Sequence, residues 1–240
     1  VRAFVRDSGL REMILLPPEC DFGPMKDLMR ELDVRCVLIS PTTPDPRFPA
    51  IAMDDRAAAR EVVEHLFSLG HTRIGHIAGH PDHVASTHRR NGYYEAYAAR
   101  GLPRPGPELV VEGQFTFKTG LEAAKTLLDI ADPPTAIFAA NDEMAAATCM
   151  EVQRRGLRIP DDVSVVGFDD QPIASVIWPS LTTIRQPFEQ MALRALQIFA
   201  AWNVNEGAGK TSAPFLARHA LVVRESTGPA RSGPPPHPKP

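Results

Sequence analysis

The chain has 240 residues, 43% of them hydrophobic and 23% charged, enough apolar material to bury the core of one large α/β unit or of two smaller lobes. Its net charge of −3 excludes the broad basic face on which phosphate-backbone binding depends, so DNA is not gripped by this segment itself. Three widely spaced cysteines, Cys20, Cys36 and Cys149, form no CxxC pair, which excludes a disulfide framework or zinc knuckle and fits a reducing cytoplasm, and no apolar run approaches the roughly 18 residues a membrane span needs.

Taken in chain order, short apolar runs alternate with longer amphipathic ones. The opening VRAFVRDSGLRE lacks the apolar stretch of a secretory signal. Strands are predicted over Met13–Leu16, Val34–Ile39 and Ala50–Met53, followed by a helix over Ala57–Leu69 whose Val62, Val63, Leu66 and Leu69 share one face and which stops at Gly70. Further strands are predicted over Arg73–Ala78, Thr135–Ala139 and Val163–Phe168, with helices over Met144–Arg155, before Gly156, and Phe188–Trp202. Strand followed by helix, repeated, gives the fold class α/β, with parallel sheets covered by helices on both faces. The stretch NVNEGAGKTSAP from Asn203 reads as a loop, and residues 225–240, rich in Pro, Ser and Gly, read as a disordered tail.

Ligands of such sheets gather beyond the carboxyl ends of the strands, where loop amides and helix N-termini converge. Asn141 follows TAIFAA, Asp169 follows VSVVGF, and Asp54 follows AIAM, so all three stand at strand ends. Each is equally suited to cap a helix, a role Asp and Asn fill for backbone reasons alone. Asp169 and Asp170 are adjacent, and on an extended segment neighbouring side chains point to opposite faces, which favours one carboxylate toward a ligand and one in a pair over a hydrolytic dyad.

Several motifs are excluded. GAGKTS resembles the end of a phosphate-binding loop, but Val204 stands where the first Gly belongs, and the run follows a helix instead of a strand. GxSxG, HExxH and a GxGxxG after a strand are all absent. His71, His76, His80, His83 and His88 crowd one stretch without a Cys or spaced carboxylate to complete a metal set, so they read as loop histidines; no metal and no cofactor is expected.

The runs LGHTRIGHIAG, RRNGYYEAYAARGL, PTAIFAANDEMAAATCMEVQRRGLRIPDDVSVVGFDD and PSLTTIRQP, closed by LVVRES, resemble in order and spacing the effector-binding core of the lactose-repressor/galactose-repressor family of bacterial transcription regulators, over residues 12 to 226. The resemblance implies a two-lobed fold like that of periplasmic sugar-binding proteins, crossed three times by the chain. The first lobe would hold residues 1–70 and 186–203, and the second 71–185 and 212–224. It further implies a cytoplasmic homodimeric repressor that binds operator DNA through an N-terminal helix-turn-helix with no counterpart here. The first strand, helix and second strand of the first lobe would also be missing, leaving an exposed sheet edge and apolar face.

Carried over position by position, the resemblance implies a ligand set of Arg89, Phe115, Asn141, Asp169 and Gln186. The chemistry suits a sugar: a carboxylate accepts from hydroxyls, Asn and Gln both donate and accept, Arg offers a planar fork, and an aromatic ring covers a C–H face. A planar purine would suit Phe115 and Arg89 as well. Arg89 could equally be a helix surface charge and Phe115 ordinary core. Lobe closure on the ligand, transmitted to the DNA-binding part, is the expected mechanism, with no bond made or broken. Competing readings are a periplasmic solute-binding protein of a transport system and a sugar-acting enzyme. Helices Asp55–Leu69 and Phe188–Trp202, with residues 145–150, are candidate dimer contacts.

Overall fold

The computed structural model describes residues 1–204, 214–231 and 233. In chain order its elements begin α1 (Arg2–Ser8), β1 (Glu12–Leu15), α2 (Gly23–Glu31), β2 (Arg35–Ile39), β3 (Ala50–Met53), α3 (Asp55–Ser68), β4 (Ile74–Ala78), α4 (Val84–Ala99), β5 (Val110–Glu112) and α5 (Phe117–Asp129). They continue with β6 (Ala136–Ala139), α6 (Asp142–Arg154), β7 (Ser164–Val166), α7 (Pro172–Val176), β8 (Thr183–Arg185), α8 (Phe188–Val204), β9 (Phe215–Ala217) and β10 (Ala220–Val222). The chain divides into two compact units, Val1–Asp54 with Pro187–Arg218 and Asp55–Gln186 with His219–Pro240.

In the first unit a parallel sheet runs in the order β1-β2-β3-β9. One core cluster gathers Val5, Leu15, Met29, Val34, Cys36, Leu38 and Phe48, with Met25 and Leu28 of α2 packed against it. From α8, Met191, Ala195 and Phe199 are buried at a spacing of four residues, the repeat of one helical face. Leu193 and Leu196 on the same helix stay more than half exposed, at 53% and 60%, and β1 stands at the sheet edge.

In the second unit the parallel order is β5-β4-β6-β7, and β8 pairs with β10 as an antiparallel ribbon. β4 and β6 are buried along their whole length, as expected of parallel strands covered on both faces. The Gly75 side of β4 meets Leu127 of α5, while the opposite side carries His76 beneath Tyr93 of α4. Helix α3 buries Ala58, Ala59, Val62, Val63 and Leu66, and the chain leaves it through Gly70, whose φ of 88° is the left-handed conformation that glycine adopts most easily.

Four expectations need revision. The helix Asp55–Ser68, expected in the first lobe, packs against α4 inside the second unit, and Phe215–Ala217, expected in the second lobe, pairs in parallel with β3 of the first. The histidines are not all loop residues: His76 is buried inside β4 and His88 lies on α4, whereas His71, also buried, and His80 and His83 stand in the connecting segments. Residues 225–230 are not a disordered tail, because their polar groups close onto the second unit. Ser226 is fully buried, accepts from Val165 N–H at 2.9 Å and donates its hydroxyl to the Val165 carbonyl at 2.6 Å, and Ala230 N–H donates to the Leu69 carbonyl at 2.8 Å. The GAGKTS run and residues 234–240 lie outside the described residues.

Two features generate predictions. Gly92 on α4 sits so close to α3 that a Cβ there would lie 2.2 Å from the Arg56 carbonyl oxygen and 2.9 Å from the Ala59 Cβ. Since backbone cannot yield as a flexible side chain can, Gly92→Ala should lower the unfolding free energy by about 1 to 3 kcal/mol in urea titration. His76 is sandwiched between Tyr93 and Phe138, at centroid distances of 5.2 and 4.7 Å; Nδ1 lies 2.9 Å from the Phe138 carbonyl, and Nε2 meets no hydrogen-bond partner among the described residues. Burial lowers its pKa from 6.5 to about 4, so the unfolded chain binds the extra proton first and stability is lost as pH falls from 6.5 toward 4. The difference in unfolding free energy between wild type and His76→Phe, which keeps a stacked ring, should therefore shift against wild type by on the order of 3 kcal/mol across that window.

Candidate functional site

The carboxyl ends of β4, β6 and β7 and the residue after β8 bring polar side chains together within the second unit. Arg89 projects from α4 and is almost wholly buried at 5% exposure. Its Nε donates to Asp55 Oδ1 at 2.8 Å, its Nη1 donates to the Ala140 carbonyl at 2.5 Å, and Nη1 stands 3.7 Å from Asp169 Oδ1. The guanidinium lies over the Phe168 ring, 3.7 Å from carbon to centroid, a cation–π contact. Gln186, directly after β8, donates its amide to Asp169 Oδ1 at 2.5 Å. Arg89, Asp169 and Gln186 therefore form one hydrogen-bonded and ionic chain, joined at its far end by Asp55.

Asn141 and Phe115 form a second group beside the first. Asn141 caps α6, accepting from Met144 N–H at 2.9 Å, and its side-chain amide donates to the Phe115 carbonyl at 2.9 Å. The capping role is thus real, and the same side chain also pins the loop that carries Phe115. Phe115 takes φ 61° and lays its ring on Gly79, where any Cβ would strike it. His83 stands next to that ring at 5.6 Å between centroids. The two groups meet at consecutive residues, since the Ala140 carbonyl serves Arg89 and Asn141 serves Phe115. A cavity of about 310 Å³ lined by Gly113, Gln114, Thr119 and Glu122 flanks the Phe115 loop, but the Arg89–Asp169 pair does not line it.

The adjacent carboxylates part as expected, though not for the expected reason. Neither residue is extended: Asp169 has φ 116° and Asp170 φ 56°, and backbone forced into such regions concentrates at functional sites. Asp170 binds Arg185 Nε and Arg224 Nη2, each at 2.6 Å. Burial alone would raise its pKa, but Arg224 and Arg185 bring it below the usual carboxylate value. Burial raises Asp169, with Arg89 and Gln186 only partly opposing. Behind them Asp142 is fully buried, and burial lifts it to about 7 against hydrogen bonds from Thr183 Oγ1 at 2.6 Å and Gln171 N–H at 2.7 Å.

Two residues of the cluster escape sequence reasoning. Asp55 holds Arg89, whereas Asp54 was the expected strand-end acid; an acid in the first turn of a helix is ordinary, so only the DD doublet after AIAM hinted at it. Phe168 reads as core, and its exposure is indeed nil, yet its face carries the arginine. Among the described residues no group of three or more His, Cys, Asp or Glu side chains could hold a metal ion.

Comparisons with known proteins point one way. Residues 63–227 match the family described as periplasmic binding protein-like domain. The HTH-type transcriptional repressor CytR of Escherichia coli K12 is 32% identical over 215 residues, covering 90% of this chain and 62% of the relative. The HTH-type transcriptional regulator CelR of Thermobifida fusca is 36% identical over 186 residues, covering 76% and 53%. The chain thus spans between half and two thirds of the length of these relatives. Among solved structures, a CelR–cellobiose complex superposes with a TM-score of 0.82 at 31% identity, covering 94% of this chain and 68% of that one. A LacI-family regulatory protein from Chloroflexus aggregans gives 0.83 at 28%, covering 95% and 80%. The match over most of the chain, the parallel sheets flanked by helices and the regulators found on every side make this chain a member of the periplasmic binding protein-like family, in the branch occupied by LacI-family regulators.

Proposed function

We propose that this chain is the ligand-sensing core of a bacterial transcription regulator, taking a small polar effector, a sugar first of all, at the Arg89–Asp169 cluster. The observation that carries the reading is the convergence of Arg89, Asp169 and Gln186 in one buried chain at the strand tips, with Asn141 and Phe115 beside it. The regulators it matches, one of them solved with cellobiose, support it further. DNA recognition belongs to a part of the regulator outside these residues, in keeping with the net charge of −3. Regulator relatives favour this reading over a transport protein.

Each side chain has a distinct task. Asp169 accepts from ligand hydroxyls, Gln186 and Asn141 offer amide groups, and the Phe115 ring covers an apolar ligand face. Arg89 fixes Asp169 and presents its remaining N–H groups. The protein acts by binding, without catalysis, in the cytoplasm. Occupancy biases the relative stability of two states and so couples to DNA binding, typically by about 1 to 3 kcal/mol. The active species is a homodimer, supported by the exposed Leu193 and Leu196 of α8 and by Met150 of α6, exposed at 43%.

A thermal-shift panel of monosaccharides, disaccharides, sugar phosphates and nucleobases, followed by calorimetry on any hit, tests the reading. Asp169→Asn and Arg89→Lys should each weaken a genuine effector by roughly tenfold or more, because a buried partner is left unpaired. A hit whose affinity ignores both substitutions, or one that is chemically turned over, would refute the proposal. Sedimentation equilibrium checks the dimer: wild type should associate with rising concentration, Leu193→Glu/Leu196→Glu should remain monomeric, and a wild type monomeric throughout removes the dimer.

A further inference from the structure

We infer that Asp142 is a positioning residue of the proposed site: its buried carboxylate holds the turn that aims Asp169, and when that carboxylate takes up a proton the turn loosens and effector binding weakens. The inference rests on the reading of the site given above and adds a residue that regulates it without touching what it binds.

Asp169 and Asp170 stand at φ 116° and 56°, conformations that a residue with a side chain keeps only when its surroundings impose them. Three consecutive N–H groups show what imposes them. Asp169 N–H donates to the Ile184 carbonyl at 2.8 Å, Asp170 N–H to Thr183 Oγ1 at 3.4 Å and Gln171 N–H to Asp142 Oδ2 at 2.7 Å. Thr183 donates its own hydroxyl to Asp142 Oδ1 at 2.6 Å, so two of the three anchors end on the Asp142 carboxylate. Gly167 makes room for it, since a Cβ there would fall 2.3 Å from Asp142 Oδ1.

This arrangement needs the carboxylate ionised. Charged, Asp142 is an acceptor only, and each of its oxygens meets a donor. Once protonated it must donate, the Thr183 hydroxyl must turn its hydrogen elsewhere, and the remaining carbonyl oxygen holds Gln171 N–H through a neutral bond about half as strong. The groups around it do not oppose proton uptake. Asp169 and Asp170 face it from the turn, and Glu143 beside it on α6 accepts from Phe117 N–H. Arg185 and Arg224 are bound by Asp170 and Arg89 by Asp55, while α7 and Leu181 bring no titratable side chain. Burial, with Asp169 and Asp170 adding to it and the bonds from Thr183 and Gln171 opposing, raises its pKa from 3.8 to about 7.

Asp142 is also an acid in the first turn of α6, where the helix dipole favours it. That role alone acts on stability and leaves affinity untouched. Sign separates the two roles. Because the native pKa of about 7 lies above the unfolded 3.8, Asp142 contributes more stability as pH falls through 7, whereas release of the turn lowers affinity over the same interval.

Calorimetry on the full 240-residue chain, with glucose, galactose, cellobiose and adenine as probes, supplies the test. For a probe whose binding Asp169→Asn weakens, wild-type affinity should fall roughly fivefold between about pH 8 and 6, while Asp142→Asn, which resembles the protonated group, should show the weaker affinity at both. Thr183→Val should likewise weaken binding, and Thr183→Ser, which keeps the hydroxyl, should restore it. Should Asp142→Asn fail to fold, amide NMR of the wild type without any probe decides, because the Gln171 N–H resonance should titrate with a midpoint near 7. A wild-type affinity flat over this range, a pH dependence undiminished in Asp142→Asn, or a Gln171 resonance that does not titrate overturns the role of Asp142 and leaves the site standing. Binding by none of the probes, or binding indifferent to Asp169→Asn, overturns the site reading and this inference with it.

Discussion

The second unit is organised around one guanidinium that is not allowed to face solvent. Burying Arg89 leaves a charge whose desolvation is tolerable only if its donors are met, and the surrounding elements supply the partners: Asp55 from the start of α3, the Ala140 carbonyl from the end of β6, Phe168 and Asp169 from the end of β7. Each partner lies at an element terminus, so the arginine fixes where α3 begins and where the strands end. The glycine one turn along α4 lets α3 approach closely enough for Asp55 to reach. Packing at Gly92 and electrostatics at Arg89 are thus a single constraint seen from two sides.

Polar burial elsewhere in the unit shows the same economy with opposite sign. His76 must stay neutral within its aromatic stack, while Asp142 is pushed toward the protonated form. Between pH 4 and 7 a falling pH disfavours the native state through the histidine and favours it through the carboxyl group. The two opposing slopes leave the whole less sensitive to acidity than either group alone.

What the sequence disclosed followed from how each feature is held. Strands β3, β4 and β6 were legible as short, nearly continuous apolar runs, and helices α3 and α6 because apolar residues recur at the helical period. Helix α4 hid because His88, Arg89 and Arg90 interrupt its apolar stripe, and Arg89 is buried by pairing, which no hydropathy pattern registers. Residues 225–230 hid for the same reason: their order comes from Ser226 and Gly228 hydrogen bonds, and composition sees only Pro, Ser and Gly. The motif resemblance located Arg89, Asp169 and Gln186, whereas the partner Asp55 emerged only from three-dimensional proximity.

The interleaving of the two units bears on how the polypeptide matures. Neither is a continuous stretch: the first needs α8 and β9 to finish its sheet and core, and the second needs β10 and the Ser226 segment, all drawn from beyond residue 186. A nascent chain emerging from the ribosome can assemble β1 to β3 or β4 to β7 early, but it cannot seal either body until the segments beyond residue 186 have emerged. Such long-range closure slows folding and prolongs the exposure of unpaired strand edges, relative to a contiguous domain of equal size.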